Sequence, residues 1–253
     1  MKNSIHPNPF AEVATMPLLN SRGEISSRQS VILDPEGAHE EVGVVSREYQ
    51  LVPNRKVQEI ALDILDRSQL NFEKDSLLFD GKHYRERWVL PDLSIEPVPG
   101  DVVRLALDIV NSYDGTKRVS VSFNAQRLVC SNGMMLDYFL GGVRFRHIGD
   151  RDFESELQGA ADSIHQVQDR LSHLLPAFQQ MINTPVDVPF LQKAYSELKL
   201  SNSLVAGSLL NLDSEEQHRW GLYNSITDIL SRQESMHAEN INRQVTRWFV
   251  SHN

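Results

Sequence analysis

The sequence predicts an α+β fold: a mainly antiparallel sheet with one early helix, followed by a helical C-terminal region. Two observations carry that expectation. Within residues 101–136, Val103, Leu105, Leu107 and Ile109 alternate with Arg104, Ala106 and Asp108, and Val121 and Phe123 alternate with Ser120, Ser122 and Asn124. Period-two alternation sends successive side chains to opposite faces, so both runs read as strands with one buried face. Beyond Asp152 the period changes. Phe153, Leu157, Ala160, Ile164, Val167, Leu171 and Leu174 recur at intervals of three and four, the spacing of an amphipathic helix.

Taken in order, residues 1–30 carry Pro7, Pro9 and Pro17 and no sustained period, and are expected as a flexible arm. Residues 42–52 are rich in β-branched side chains and read as a strand closed by Pro53 and Asn54. Val57, Ile60, Ala61, Ile64 and Leu65 then place an amphipathic helix over residues 55–68. Residues 72–90 hold two strands around a turn at Asp80 and Gly81, and Pro91, Pro97, Pro99 and Gly100 punctuate a loop. The two strands of the central segment flank NSYDGT at residues 111–116, where Asp114 and Gly115 suit a tight hairpin turn. An isolated hairpin is marginal in water, so this one is expected to be the spine of a sheet. A turn at Asn132 and Gly133 and a last strand at residues 143–148 complete it. Among the helices, Pro176 predicts a kink. Asp187, with Pro189 in the first turn, opens a helix. DSEE at residues 213–216 resembles a capping box ahead of a helix carrying Trp220, Tyr223, Ile226 and Leu230. A last helix carries Ile241, Val245, Trp248 and Phe249. The expected division is an arm at residues 1–30, a sheet domain at 31–150 and a helical region at 151–253.

The 253 residues include 25 Lys and Arg against 34 Asp and Glu, a formal net charge of −9. That balance argues against polybasic nucleic-acid binding, while leaving room for a local basic face. One cysteine, Cys130, excludes an internal disulfide and suits a reducing cytoplasm. No apolar run approaches the roughly 20 residues that a membrane helix requires. No cofactor or metal is expected. There is no glycine-rich phosphate loop and no His-Glu-x-x-His, and His165 and His173 are too far apart for a helical zinc pair.

Arg85, Arg87, Arg104, Lys117, Arg118, Arg127, Arg144 and Arg146 all fall between residues 72 and 148. With suitable strand pairing they form a cationic groove for phosphates, with Tyr84, Trp88, Tyr113 and Phe123 available for base stacking. The plainer alternative is a solvated face balanced by carboxylates such as Glu73, Asp80, Glu86, Asp108 and Asp114. A second cluster, Asn111, Asp114, Arg127, Cys130 and Asn132, surrounds one hairpin and suits either turn formation or catalysis. A nucleophilic Cys130 would require a base such as His83 or His147. Trp220, Tyr223, Trp248 and Phe249 sit at core-like helical spacing, with an oligomer contact as the alternative.

Three segments carry a resemblance. NSYDGT at residues 111–116 followed by RLVCSNGM at 127–134 resembles the signature of a phage/plasmid-like family called domain of unknown function 932. WGLYNSITDIL at residues 220–230 is similar to that family's late segment, and VSREYQLVPN at 45–54 to its early one. Ser225 and Asp228 stand where the family usually has Ala and Glu. Its motif positions fall on Asn111, Asp114, Gly115, Arg127, Cys130, Asn132, Trp220, Tyr223 and Asn224. The resemblance implies a mobile-element setting, similar to that of phage single-strand annealing recombinases. The expected function is ATP-independent binding or annealing of single-stranded DNA by a non-catalytic, cytoplasmic homo-oligomer. The alternatives are an enzyme built around residues 111–132 and a protein-binding anti-defence or assembly factor.

Overall fold

The computed structural model describes residues 8–127, 138–148, 155, 164–212, 217–233 and 236–252. Its elements are β1 (Val13–Leu19), β2 (Ile25–Leu33), β3 (Glu40–Ser46), α1 (Asn54–Ser68), β4 (Glu73–Phe79), β5 (His83–Val98), β6 (Asp101–Ser112), β7 (Val119–Arg127) and β8 (Tyr138–Phe145). The helices α2 (Ile164–Asn183), α3 (Val188–Leu198), α4 (Asn202–Leu210), α5 (Arg219–Ser231) and α6 (Met236–Ser251) follow. The architecture is α+β. Strands β1-β2-β3 form an antiparallel three-stranded sheet, and β4-β5-β6-β7-β8 a five-stranded one in chain order. The expected division near residue 150 gives way to two discontinuous compact units. One comprises Met1–Leu90, Ala106–Phe123 and Gly141–His165; the other Pro91–Leu105, Asn124–Leu140 and Gln166–Asn253.

In the first unit, residues 13–30, expected within a flexible arm, belong instead to the hairpin β1–β2, which runs on to Leu33. Asn20 closes it, its Oδ1 accepting from the backbone N–H groups of Arg22 (2.9 Å) and Glu24 (3.0 Å). Val13 pairs with Leu33 and Val31 with Gly43, so one face of the sheet joins a core of Val31, Leu33, Val42, Val45, Tyr49 and Tyr113. The register explains Gly43: a Cβ there would lie 2.7 Å from the Tyr113 carbonyl oxygen. Strand β3 stops at Ser46 rather than running on to Val52. A turn, closed by Tyr49 N–H to Ser46 O at 3.1 Å, carries the Tyr49 ring inward, and its hydroxyl donates to Ser112 O at 2.6 Å. Helix α1 buries Val57, Ala61, Ile64 and Leu65, the stripe that its apolar spacing predicts.

Strand β5 is covered on both faces near its start, since the neighbours Glu86 and Arg87 are both buried. Each buried charge is matched. Glu86 receives Lys74 at 2.6 Å, both contacts from the Gln58 amide, and the Tyr84 hydroxyl. Arg87 forks onto Asp108, Nε to Oδ1 at 2.6 Å and Nη2 to Oδ2 at 2.8 Å. Pro91 and Pro97, expected in a loop, lie within β5. The registered pairs with β4 end at Glu73 and Val89, so later residues face no β4 partner and tolerate a missing N–H. The turn falls at Pro99 and Gly100, where Gly100 has φ 86°.

In the second unit, α2 runs continuously past Pro176. Asp187 caps α3 by accepting from Phe190 N–H at 2.8 Å, as its spacing to Pro189 predicts. The capping box expected at residues 213–216 lies outside the described residues; helix α5 is capped by His218, whose Nδ1 accepts from Gly221 N–H at 3.0 Å. Val167, Phe178, Trp220, Tyr223, Ile226, Val245 and Phe249 are buried in this unit. No described helix is long and apolar enough to cross a membrane.

Candidate functional site

The sharpest local construction in the first unit is the loop between β6 and β7, residues 113–118. Gly115 supplies the positive φ, 74°. Asp114 Oδ1 accepts from Thr116 twice, from its N–H at 3.0 Å and its hydroxyl at 2.6 Å. Ser112 Oγ accepts from Lys117 N–H at 2.9 Å. These bonds fold the loop on itself and set the direction in which Lys117 and Arg118 leave it. A second wall is the chain after β8. Gln50 N–H donates to His147 O at 2.9 Å, and Tyr49 bridges Ile148, which places Arg146 opposite the loop. Between the walls lies an open cleft of about 390 Å³, lined among others by Tyr49, Asp114, Lys117, Arg118, Arg146 and His147.

Its charge is mostly positive. Arg118 and Arg146 are exposed, and neither has a carboxylate partner among the described residues. Lys117 is half-buried. Asp114 is the one carboxylate in the lining, and burial alone would raise its carboxyl. The Thr116 hydrogen bonds and the nearby His83 outweigh burial and hold it below the usual carboxylate range. His83 links the loop to the β4–β5 turn. Its Nδ1 lies 2.8 Å from Asp80 Oδ2, and its Nε2 lies 2.9 Å from Thr116 Oγ1 and 3.1 Å from Asp114 Oδ2. Asp80 is lowered to about 2: burial opposes the shift, but bonds from the His83 backbone and ring and from Lys82 N–H outweigh it.

Two stacked rings complete the site, Tyr49 and His147, with centroids 4.6 Å apart and 14° between planes. Burial, reinforced by the Asp114 charge, pushes the Tyr49 phenol far above its ordinary value. His147 is only 3% exposed. Its Nδ1 lies 3.0 Å from Gln50 O, and since a carbonyl only accepts, the proton sits on Nδ1. Burial pulls the His147 pKa below its ordinary value, against the Gln50 bond, and so favours the neutral ring.

Of the eight cations expected to form one groove, the structure gathers Lys117, Arg118 and Arg146. Arg87 is withdrawn altogether, because it is buried against Asp108 and has no face for a phosphate. Arg144 is exposed on β8 with Nε 3.3 Å from Ser120 Oγ, and Arg85 is half-buried on β5. Arg104 is half-buried on β6 and belongs to the second unit. The stacking platforms also change: Tyr84, Tyr113 and Phe123 are fully buried core residues, and Trp88 is half-buried against Phe72. Of the polar cluster, Asn111 is no turn residue. It is fully buried, donates from Nδ2 to Val52 O and Asn54 Oδ1 (both 2.8 Å) and accepts from Ser112 N–H, tying β6 to the start of α1. The Arg127 side chain, Cys130 and Asn132 lie outside the described residues. Trp220, Tyr223 and Asn224 belong to the second unit. Trp220 stacks on Tyr223 and donates to Asp101 at 3.1 Å, while the Tyr223 and Thr246 hydroxyls lie 3.1 Å apart. In the sequence, His83 reads as a possible base for Cys130. The short Asp80-to-His83 interval hints at its local bond, but its long-range hydrogen bond to the Thr116 hydroxyl and its approach to Asp114 carry no sequence signal.

Among the described residues, no group of three His, Cys, Asp or Glu side chains is placed to hold a metal ion. No curated protein and no solved structure matches the chain. A family model described as "Domain of unknown function (DUF932)" matches residues 41–248, which takes in α1, both walls of the cleft and the Trp220–Tyr223 pair. On a match over most of its length, the chain belongs to the domain of unknown function 932 family.

Proposed function

We propose that this protein binds single-stranded DNA by its phosphates, without ATP, and that the cleft between the β6–β7 loop and residues 146–148 is where it does so. The observation that supports this is the convergence of Arg118 and Arg146, from two separate segments, on one open cleft without carboxylate partners among the described residues. Guanidinium groups match phosphate oxygens in a bidentate fork. With the central aromatic rings buried, recognition rests on the backbone rather than on base stacking, so it is insensitive to sequence. One cleft of about 390 Å³ holds only a few nucleotides. Firm attachment to a long strand therefore calls for several copies side by side, which is how self-association enters this reading. A reducing cytoplasm of a host carrying a phage or plasmid is the setting it fits.

The test is anisotropy of a labelled oligothymidylate across a salt series, with particle mass read on the same samples. Arg118→Ala with Arg146→Ala should weaken binding at least tenfold and lower the salt slope by about 1.4, near 0.7 per lost single-strand phosphate contact. Failure of the wild-type protein to bind at low salt overturns the proposal.

A further inference from the structure

The β1–β2 hairpin outruns its sheet. Its last paired rung against β3 is Arg28 with Ser46, and Arg47 N–H closes the junction on Ser27 O at 3.1 Å. Beyond that rung β1 and β2 continue alone to the Leu19–Ile25 pair and the turn at residues 20–24. At the rise of a strand, Ile25 lies up to roughly 10 Å past Arg28. The turn is braced from within. Asn20 N–H donates to Glu24 O at 2.8 Å and Gly23 N–H to Asn20 O at 3.0 Å, besides the two bonds that the Asn20 side chain accepts. A Cβ at Gly23 would meet nothing within 4 Å, so the tip stands in open space.

This braced tip is apolar. Leu19 is 65% exposed and Ile25 59%, and as direct cross-strand partners their side chains lie side by side on one face. Exposed arginines flank the pair, Arg22 in the turn and Arg28 and Arg47 at the base, none with a carboxylate partner among the described residues. The acids beside them are Glu24, which accepts from the Asn20 amide at 3.0 Å, and Glu48. Ser46, at the base, also lines the cationic cleft, so the hairpin leaves the sheet at the cleft's edge. An apolar pair among cations suits a ligand with an anionic backbone and flat apolar faces, and a single strand with its bases has both. We propose that the Leu19–Ile25 pair is a wedge that enters between neighbouring bases of a strand whose phosphates lie in the cleft, and parts their stack. This rests on the phosphate-binding reading of that cleft. Leucine and isoleucine act as such wedges between base steps, and every base offers a face, so the contact needs no particular sequence. A second copy adding a strand to β1 is the poorer occupant. Asp34 N–H donates to Glu12 O at 2.7 Å, which makes those two a hydrogen-bonded pair. In the unbroken register that follows, residues 13, 15 and 17 turn their backbone groups to the free edge. Pro17 has no N–H to offer there and interrupts an added strand.

The experiment uses the full-length protein, saturating at low salt a short oligoadenylate with one central 2-aminopurine, a base whose fluorescence is quenched while its neighbours stack on it. Wild type should raise that fluorescence severalfold. Leu19→Thr with Ile25→Thr keeps strand-forming residues at two exposed positions, so its urea midpoint should match wild type. It should bind with the same salt slope, since no phosphate contact is lost, but leave the fluorescence near that of the free oligonucleotide. A rise that survives the double substitution, or a wild type that binds with no rise, overturns the wedge and leaves the phosphate reading standing. A wild type that fails to bind at all overturns both. Two DNA-free measurements identify the other occupants. A particle mass that falls in the double variant would make the pair a contact between copies, and sedimentation with phosphatidylserine vesicles that the variant loses would make it a membrane contact; either result overturns the wedge.

Discussion

Arg87 and Arg146 look alike in the sequence, one of a pair of arginines two apart on a strand, and they end in opposite environments. Arg87 is buried on a bidentate fork with Asp108, whereas Arg146 is exposed at the mouth of a cleft. Their mutational signatures should differ accordingly. Arg87→Ala strands a buried carboxylate and should cost about 3–5 kcal/mol in urea unfolding. Arg146→Ala should stay within about 0.5 kcal/mol of wild type, its effect appearing only in ligand binding. A large stability loss in Arg146→Ala would mean that its role is structural. Asn111 makes the same point in reverse. As a motif residue beside Asp114 and Gly115 it reads as a turn former, but its amide fills a fully buried junction between β6 and α1. Asn111→Ala should cost about 1–3 kcal/mol by leaving buried polar partners unmet, a loss visible as an earlier urea midpoint. Gly142, with φ 123° in β8, has a Cβ position 2.3 Å from Val121 O, so Gly142→Ala forces β7 and β8 apart.

At the scale of elements, local chemistry decided what it had the range to decide. Helix α1 begins within one residue of the position that its apolar stripe predicts and ends at Ser68 as expected. Asp187 caps α3 through a bond three residues along, a distance that sequence reading covers; Asp187→Ala should cost about 1 kcal/mol, measured by thermal melting. Where the elements came out differently, a distant partner had intervened. Pro91 and Pro97 break strands that have neighbours on both sides, and they sit in β5 because the pairs with β4 have already ended. Residues 13–33 show little periodicity alone, yet β1 and β2 form because β3 supplies the next register and Tyr113 the next layer of core.

For the whole molecule, a net charge of −9 coexists with a cationic cleft because the acids and bases are sorted in space rather than along the chain. The same sorting gives acid sensitivity a direction. Asp80 is lowered to about 2 and Asp114 is lowered as well, against about 3.9 for an unfolded aspartate. Their stabilising contribution is therefore fully present above about pH 4 and is lost as pH falls through the folded values. Asp80→Asn should melt below wild type at pH 5, and the two should converge near pH 2. A gap unchanged between pH 5 and pH 2 would show that the Asp80 carboxylate does not stabilise the turn through its charge.

Determined by the sequence alone were the α+β class, the central hairpin and its Asp114–Gly115 loop, the stripe of α1 and the family signature. Each depends on residues a few positions apart, where period, turn chemistry and capping act. Tertiary structure alone decided which arginines lack a carboxylate partner among the described residues, that Asn111 is a junction, and that His83 reaches Thr116 and Asp114. Those outcomes depend on pairs 21 to 59 residues apart, such as Arg87 with Asp108 and Asn111 with Val52. A buried charge takes whichever opposite charge the strand register brings beside it, and register is a property of the folded sheet rather than of any one strand.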